Sequence, residues 1–173
     1  MGLYFTNSTS ISSGLVADLW RYTASHQGNV YLGSSWERPD TNNQGYVGNT
    51  GMSQSNGKFA FPSTGIYFIS FTAYMYIHNT TTKSQRCSCM IRTTTNNSSY
   101  SHAAINSCHF GGGGYNTSLN TDNSATTQLL FDVTDTSNCK VDFEFGAGQG
   151  FEYIGGNSSQ NNTYAYFLKV GDT

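Results

Sequence analysis

The sequence has few charged residues: Asp, Glu, Lys and Arg make up 10% of its 173 residues, and the formal net charge is −2. A chain with so little positive charge offers no basic surface that would hold nucleic acid or an anionic membrane. No stretch combines helical periodicity with a helix cap. These absences argue against nucleic-acid binding and against a helical architecture.

Targeting signals are also missing. Residues 1–7 contain no basic start followed by an apolar run, and no apolar stretch approaches the length of a membrane span. We therefore expect synthesis in a cytoplasm without secretion, and no glycans at the Asn-x-Ser/Thr triplets. Asn, Ser and Thr are abundant, but an aromatic content of 14% indicates a folded domain with polar loops.

The clearest pattern in the chain runs from Tyr67 to Ile77. Every second residue of this stretch is apolar, and most residues between them carry hydroxyl groups. Alternation with a period of two is typical of a half-buried β-strand. Just before it, residues 59–61 form a short apolar segment, and Pro62 to Gly65 have the composition of a turn. The region predicts a short strand that folds directly into a long one.

Similar alternating segments recur along the rest of the chain. They cover residues 18–23, 85–94, 100–110, 125–133, 139–145 and 164–170. Eight to ten short strands with turn residues between them predict an all-β, two-sheet antiparallel sandwich. Within it, Phe71, Phe131 and Phe143 are predicted to face the core, and Asp142 and Glu144 to form a solvated strand face. We expect one domain over residues 16–173, preceded by an N-terminal arm over residues 1–15.

One motif carries a family resemblance, with the spacing Gly57-x-Phe59-x-Phe61-Pro62-x-x-Gly65-x-Tyr67-x-x-x-Phe71. It resembles the jelly-roll superfamily that contains the globular head of the first complement component and tumour necrosis factor. Within that superfamily, the approach from Trp36 to Gly57 looks most similar to structural proteins of marine bacteriophages. Two positions depart from the complement-type pattern: Phe61 stands where a cysteine is common, and Ile69 where a phenylalanine is usual. The resemblance, from Trp36 to Val170, implies a jelly-roll sandwich and a homotrimer.

Two sets of apolar residues are candidates for contacts with other chains. The outward side of the central strand offers Phe68, Tyr74 and Tyr76, and we predict that they form a threefold interface, since large amphipathic rings are typical of buried contacts. The N-terminal arm carries five apolar residues among small polar ones: Leu3, Tyr4, Phe5, Ile11 and Leu15. Such an arm either frays or docks on a partner, in which case it would anchor the domain to a capsid.

The four cysteines are the best candidates for local chemistry. Cys87 and Cys89 share one strand face at a separation that is awkward for a bond between them, and we expect them to look across to Cys108 and Cys139. One or two disulfides, buried free thiols and a zinc site that includes His109 all remain open. The zinc site lacks the usual C-x₂-C knuckle, and Cys108 and His109 point to opposite faces.

Catalytic motifs are absent, and Asp132 and Asp135 fall short of a calcium loop. We therefore expect a non-enzymatic protein without a cofactor. The resemblance implies a bacteriophage virion protein, a trimeric capsid decoration or cement protein that contacts other virion proteins. The alternative is a receptor-binding adhesin domain of a tail or head fibre that holds host surface glycans through loops such as Gly111 to Gly114. Because Met1 stands a few residues before the first strand, with no repetitive shaft between them, decoration is favoured and the virion is the expected location.

Overall fold

The computed structural model describes residues 15–40, 44–47, 50–77, 85–110 and 121–173. Every helix or strand element in these ranges is a β-strand. No helix in the described part of the chain is long and apolar enough to cross a membrane. The strands form two antiparallel sheets packed face to face, which confirms the predicted all-β jelly-roll sandwich.

The described ranges contain fourteen strands, more than the sequence predicted because several have only two or three residues. In chain order they are β1 (Ala17–Tyr22), β2 (His26–Gln27), β3 (Val30–Tyr31), β4 (Trp36–Glu37), β5 (Tyr46–Val47), β6 (Ser53–Ser55), β7 (Lys58–Ala60), β8 (Gly65–Ile77), β9 (Gln85–Thr94), β10 (Ser101–Phe110), β11 (Thr121–Val133), β12 (Lys140–Ala147), β13 (Glu152–Ile154) and β14 (Tyr164–Gly171). Sheet A contains β1, β2, β4, β5, β8, β11, β13 and β14, and sheet B contains β3, β6, β7, β9, β10 and β12.

The long strand β8 is the centre of sheet A. It pairs with β11 along one side over its whole length, and with β14 and then β13 along the other. Its odd-numbered residues from Tyr67 to Ile77 are all buried, as the alternation predicted, and the residues between them are half-buried. Because side chains alternate across a strand, β8 gives one face to the core and the other to the outside of sheet A.

Aromatic rings from both sheets meet in the core. The ring centroid of Phe71 on β8 lies 4.7 Å from that of Phe143 on β12, and Phe143 lies 5.3 Å from Trp36. Phe71 and Phe143 are fully buried, as predicted. Phe131 also packs against the core, as predicted, but it is only half-buried. Among the described strands β11 pairs only with β8, so its inner face lies at the border of the core.

The approach to β8 depends on a tight turn at Asn56 and Gly57, which joins β6 to β7 as a hairpin. Both residues have positive φ, 50° and 77°, which suits the two-residue turns that favour Asn-Gly. A Cβ on Gly57 would stand 1.9 Å from the carbonyl oxygen of Leu32. Glycine is therefore required at this position of the motif both for backbone conformation and for space.

Candidate functional site

The predicted trimer interface lies on the outer face of sheet A, where Phe68 stands between two leucines. Leu130 on β11 and Leu168 on β14 are its register partners on either side. Leu130 is 66% exposed, and Phe68 and Leu168 are half-buried. An apolar row therefore crosses three neighbouring strands on the outside of the sandwich, and we refer to Leu130, Phe68 and Leu168 as the apolar row.

Tyr74 and Tyr76 occupy the opposite end of the same face. Their ring centroids lie 5.7 Å apart, and Tyr76 stacks on Tyr153 of β13 at 5.0 Å with nearly parallel planes. Burial, with the negative charge of Asp122 beside it, raises the pKa of Tyr74. Gly155 makes room for this packing, because a Cβ there would stand 2.6 Å from the Tyr74 ring. The three predicted interface residues share one face but lie at its two ends.

Most of the predicted capsid anchor falls outside the described residues. Leu3, Tyr4, Phe5 and Ile11 belong to that part of the chain, as do the glycines from Gly111 to Gly114 of the predicted glycan loop. Leu15, at the start of the described chain, is half-buried. It leads into the sheet through Val16, whose carbonyl oxygen accepts a hydrogen bond of 2.8 Å from the Lys169 amide.

The cysteines do not form one cluster. Cys87 and Cys108 are direct register partners on β9 and β10, and Cys89 follows on the same inner face. Cys139 immediately precedes β12, whereas Cys87 and Cys89 pair with residues at the far end of that strand. Cys87 and Cys89 were expected to lie near both other cysteines. The register places them near Cys108, as expected, but not near Cys139.

All four cysteines are free thiols in the structure, and only Cys108 is partly exposed. Burial raises the pKa of Cys87 and Cys89 to about 12, so they are neutral thiols near pH 7. Thiolates, not thiols, bind metals and attack electrophiles, so this environment favours neither chemistry. In the ranges that the structure describes, no group of three or more His, Cys, Asp or Glu side chains is placed to hold a metal ion.

The two aspartates weighed for calcium are engaged by the protein itself. Asp132 accepts a hydrogen bond of 3.1 Å from the Thr173 hydroxyl. Asp135 accepts bonds of 2.7 Å from the Ser137 amide and 2.6 Å from the Asn138 side chain, and these bonds lower its pKa. Asp135 therefore stabilises the turn that leads into β12.

The outer face of sheet B contains a charged groove that the sequence did not reveal. The interpretation of Asp142 and Glu144 as a solvated strand face was wrong, since Asp142 is only 8% exposed and Glu144 is half-buried. Arg92 on β9 lies opposite Asp142, with Nε 3.4 Å from Oδ1, and its Nη1 lies 3.6 Å from Glu144 Oε2. His102 Nε2 on β10 is 2.8 Å from the same Glu144 oxygen.

Two tyrosines enclose the arginine of this groove. The Arg92 guanidinium carbon lies 4.2 Å from the centroid of the Tyr31 ring and 5.5 Å from that of Tyr100. Lys58 Nζ lies 5.4 Å from the centroid of the Tyr100 ring. Cations in such positions are attracted to the electron-rich ring faces. We call this depression, about 380 Å³ and lined by Tyr31, Lys58, Arg92, Tyr100 and Asp142, the Tyr31 groove.

Burial raises the pKa of Asp142 to about 6, and the attraction of Arg92 only partly offsets this effect. Arg92 lowers the pKa of Asp142 only in part because its Nε lies 3.4 Å from Asp142 Oδ1, and this oxygen makes no hydrogen bond with any described residue. The signal that could have found the groove is the register of β9 and β12, which puts Arg92, Asp142 and Glu144 side by side. Register is not visible in a single strand.

This raised pKa predicts a pH-dependent stability. A carboxyl group whose pKa is higher in the folded than in the unfolded protein adds stability below about pH 4 and loses that contribution as the pH rises through about 6. Asp142→Asn should therefore raise the free energy of unfolding at pH 8 by ~2 kcal/mol and leave it nearly unchanged at pH 4. Urea denaturation of both proteins at the two pH values measures this difference. An equal effect at both would contradict it.

Comparison with known proteins supports the fold. No family model matches the sequence, and no curated protein matches it either. Among solved structures, the crystal structure of murine APRIL at pH 8.5 aligns with a TM-score of 0.57 and 11% identity over 91% of this chain and all of that chain. A second structure of murine APRIL, at pH 8.0, aligns with a TM-score of 0.56 and 10% identity over the same shares. At this identity the likeness shows the fold alone, and that fold is the jelly roll of the tumour necrosis factor family.

Proposed function

We propose that the chain is a non-enzymatic bacteriophage virion structural protein, a trimeric decoration or cement module on the capsid surface. The phage assignment draws its support from the resemblance between Trp36 and Gly57, and the trimer from the jelly-roll fold. The outer face of sheet A carries the proposal furthest. It presents large apolar side chains from three adjacent strands, on a face that no described part of the chain covers.

The physical case for association rests on the apolar row. Leaving Leu130 66% exposed beside Phe68 and Leu168 is unfavourable for an isolated domain in water. Burying a large apolar side chain contributes about 1.5–3 kcal/mol. Around a threefold axis the same row is buried three times, since each subunit offers an identical patch. Tyr74 and Tyr76 would extend the contact, with rings that pack while their hydroxyls reach polar partners.

A mass measurement tests the trimer directly. We expect the full chain at micromolar concentration to have three times the 18.9 kDa mass of one chain by light scattering. Phe68→Ser should shift the protein towards monomer, because it places a hydroxyl in the middle of the apolar row. Tyr31→Ser, on the outer face of sheet B, is the matched control and should stay trimeric. A wild-type mass equal to one chain would refute the interface.

The virion assignment needs a test of its own. Antibodies raised against the purified chain and used for immunogold labelling of phage particles should mark the capsid surface at many regularly spaced positions. Labelling confined to a tail or fibre tip would favour the adhesin alternative. Particles that carry no label would reject both assignments while leaving the trimer untouched.

A further inference from the structure

We propose that the Tyr31 groove is a binding site for a neutral saccharide, stacked on Tyr31 and hydrogen-bonded to Asp142 and Tyr100. This inference goes beyond the decoration function. It also assigns the glycan site to a strand face of sheet B instead of to the Gly111 to Gly114 loop. The groove and the apolar row belong to different sheets, so an assembled trimer would leave the groove open on each subunit.

Tyr31 supplies a platform for stacking. Its side chain is 64% exposed, although it lies on the paired strand β3 opposite Glu144. The Arg92 guanidinium 4.2 Å from the ring centroid holds the ring against the sheet. A ring that is fixed and still exposed offers apolar contact at little cost in conformational entropy. The C–H face of a pyranose is a natural partner for such a ring.

The polar atoms of the groove point to a hydroxylated ligand. In the described part of the chain, four buried side-chain polar atoms have no hydrogen-bond partner, and two of them, Asp142 Oδ1 and Tyr100 Oη, belong to residues that line this groove. Within the described ranges, Asp142 Oδ1 has only its ion-pair contact of 3.4 Å with Arg92 Nε. A buried polar atom without a hydrogen bond is less stable than one that makes a hydrogen bond. A sugar hydroxyl both donates and accepts, so it can donate to Asp142 and accept from Tyr100.

Charge and size narrow the ligand class. Lys58 and Arg92 bring two positive charges, and Asp142 with the neighbouring Glu144 brings two negative ones. This balance gives no strong preference for an anion and favours a neutral ligand. A volume of about 380 Å³ suits one or two sugar rings. A second depression of about 620 Å³ begins at Glu144 and Met90 on the same face, so a longer saccharide could continue along β9 and β12.

The test uses the full chain, labelled with ¹⁵N, and titrates it with the methyl glycosides of glucose, galactose, mannose and N-acetylglucosamine, with N-acetylneuraminic acid as the anionic probe. At least one neutral glycoside should shift the amide resonances of Tyr31, Arg92 and Asp142 at millimolar concentration. Tyr31→Phe should bind within about twofold of wild type, because the ring remains. Tyr31→Leu and Asp142→Asn should each weaken binding by about tenfold, which corresponds to the loss of one good contact.

Tyr166→Leu, on the outer face of sheet A, is the matched control and should leave saccharide binding unchanged. The proposal would be overturned if no neutral glycoside shifted the amide resonances of the Tyr31 groove. So would shifts centred elsewhere, tighter binding of N-acetylneuraminic acid, or equal affinity of Tyr31→Leu and wild type. None of these results would alter the mass of the protein, so failure of the groove proposal is distinguishable from failure of the trimer.

Discussion

Truncation of Phe71 to alanine is expected to lower the free energy of unfolding by about 3–5 kcal/mol. Phe71 has no exposed surface, and its ring lies 4.7 Å from Phe143 of the opposite sheet and 6.3 Å from Trp36. Removing it would leave a cavity between the two sheets that the surrounding β-strands cannot easily fill. Such a loss is a large share of the stability of a single domain.

Urea denaturation at one fixed protein concentration measures this effect, because the apparent stability of an oligomer depends on concentration. Phe131→Ala is the matched control: the same side chain is removed from a border position, where Phe131 is half-buried and lies 5.7 Å from Phe61. We expect a loss of about 1–2 kcal/mol there. An unchanged midpoint for Phe71→Ala, or equal losses for both variants, would contradict the assignment of the core.

Local patterns were enough to predict the architecture around β8. Its alternation fixes which residues face the core, and this part of the prediction was confirmed from Tyr67 to Ile77. The turn at Asn56 and Gly57 was not predicted, although it too depends on local sequence, since both residues tolerate positive φ. Short strands such as β2 and β13 were missed, because two or three residues carry no periodicity and pair only through distant partners.

Buried charges were the main failure of sequence reasoning. Asp18 and Arg21 on β1 are fully buried, and Asp142 on β12 nearly so, yet isolated charged residues in a strand predict a solvated face. Their burial depends on partners that are distant in sequence. Arg21, for example, donates hydrogen bonds of 2.6 Å to Glu37 and 2.9 Å to Asp40. The Tyr31 groove was missed for the same reason, since its members come from β3, β7, β9 and β12 and the segment before β10.

Asp18 on β1 connects two segments that are distant in sequence, the one that follows β4 and the one that precedes β6. Its carboxylate accepts hydrogen bonds of 3.1 Å and 2.9 Å from Nε and Nη2 of Arg38, and one of 2.7 Å from the amide of Met52. Arg38 also lies over the Trp20 ring, with its guanidinium carbon 4.5 Å from the centroid. Gly51 passes so close that a Cβ would stand 2.5 Å from Asp18 Oδ2. The segment before β6 is therefore folded around this carboxylate.

Asp18→Ala should consequently cost about 3 kcal/mol, because it leaves the Met52 amide buried without an acceptor and removes the bidentate partner of Arg38. The value lies at the low end for a broken buried pair, since the Arg38 side chain is 34% exposed and can turn partly to water. Asp172→Ala is the matched control, because Asp172 is also paired, with Lys169 at 2.8 Å, but its side chain is 90% exposed. Its denaturation midpoint should stay close to wild type. A loss for Asp18→Ala no greater than that of Asp172→Ala would show that the buried carboxylate does not hold the segment before β6 in place.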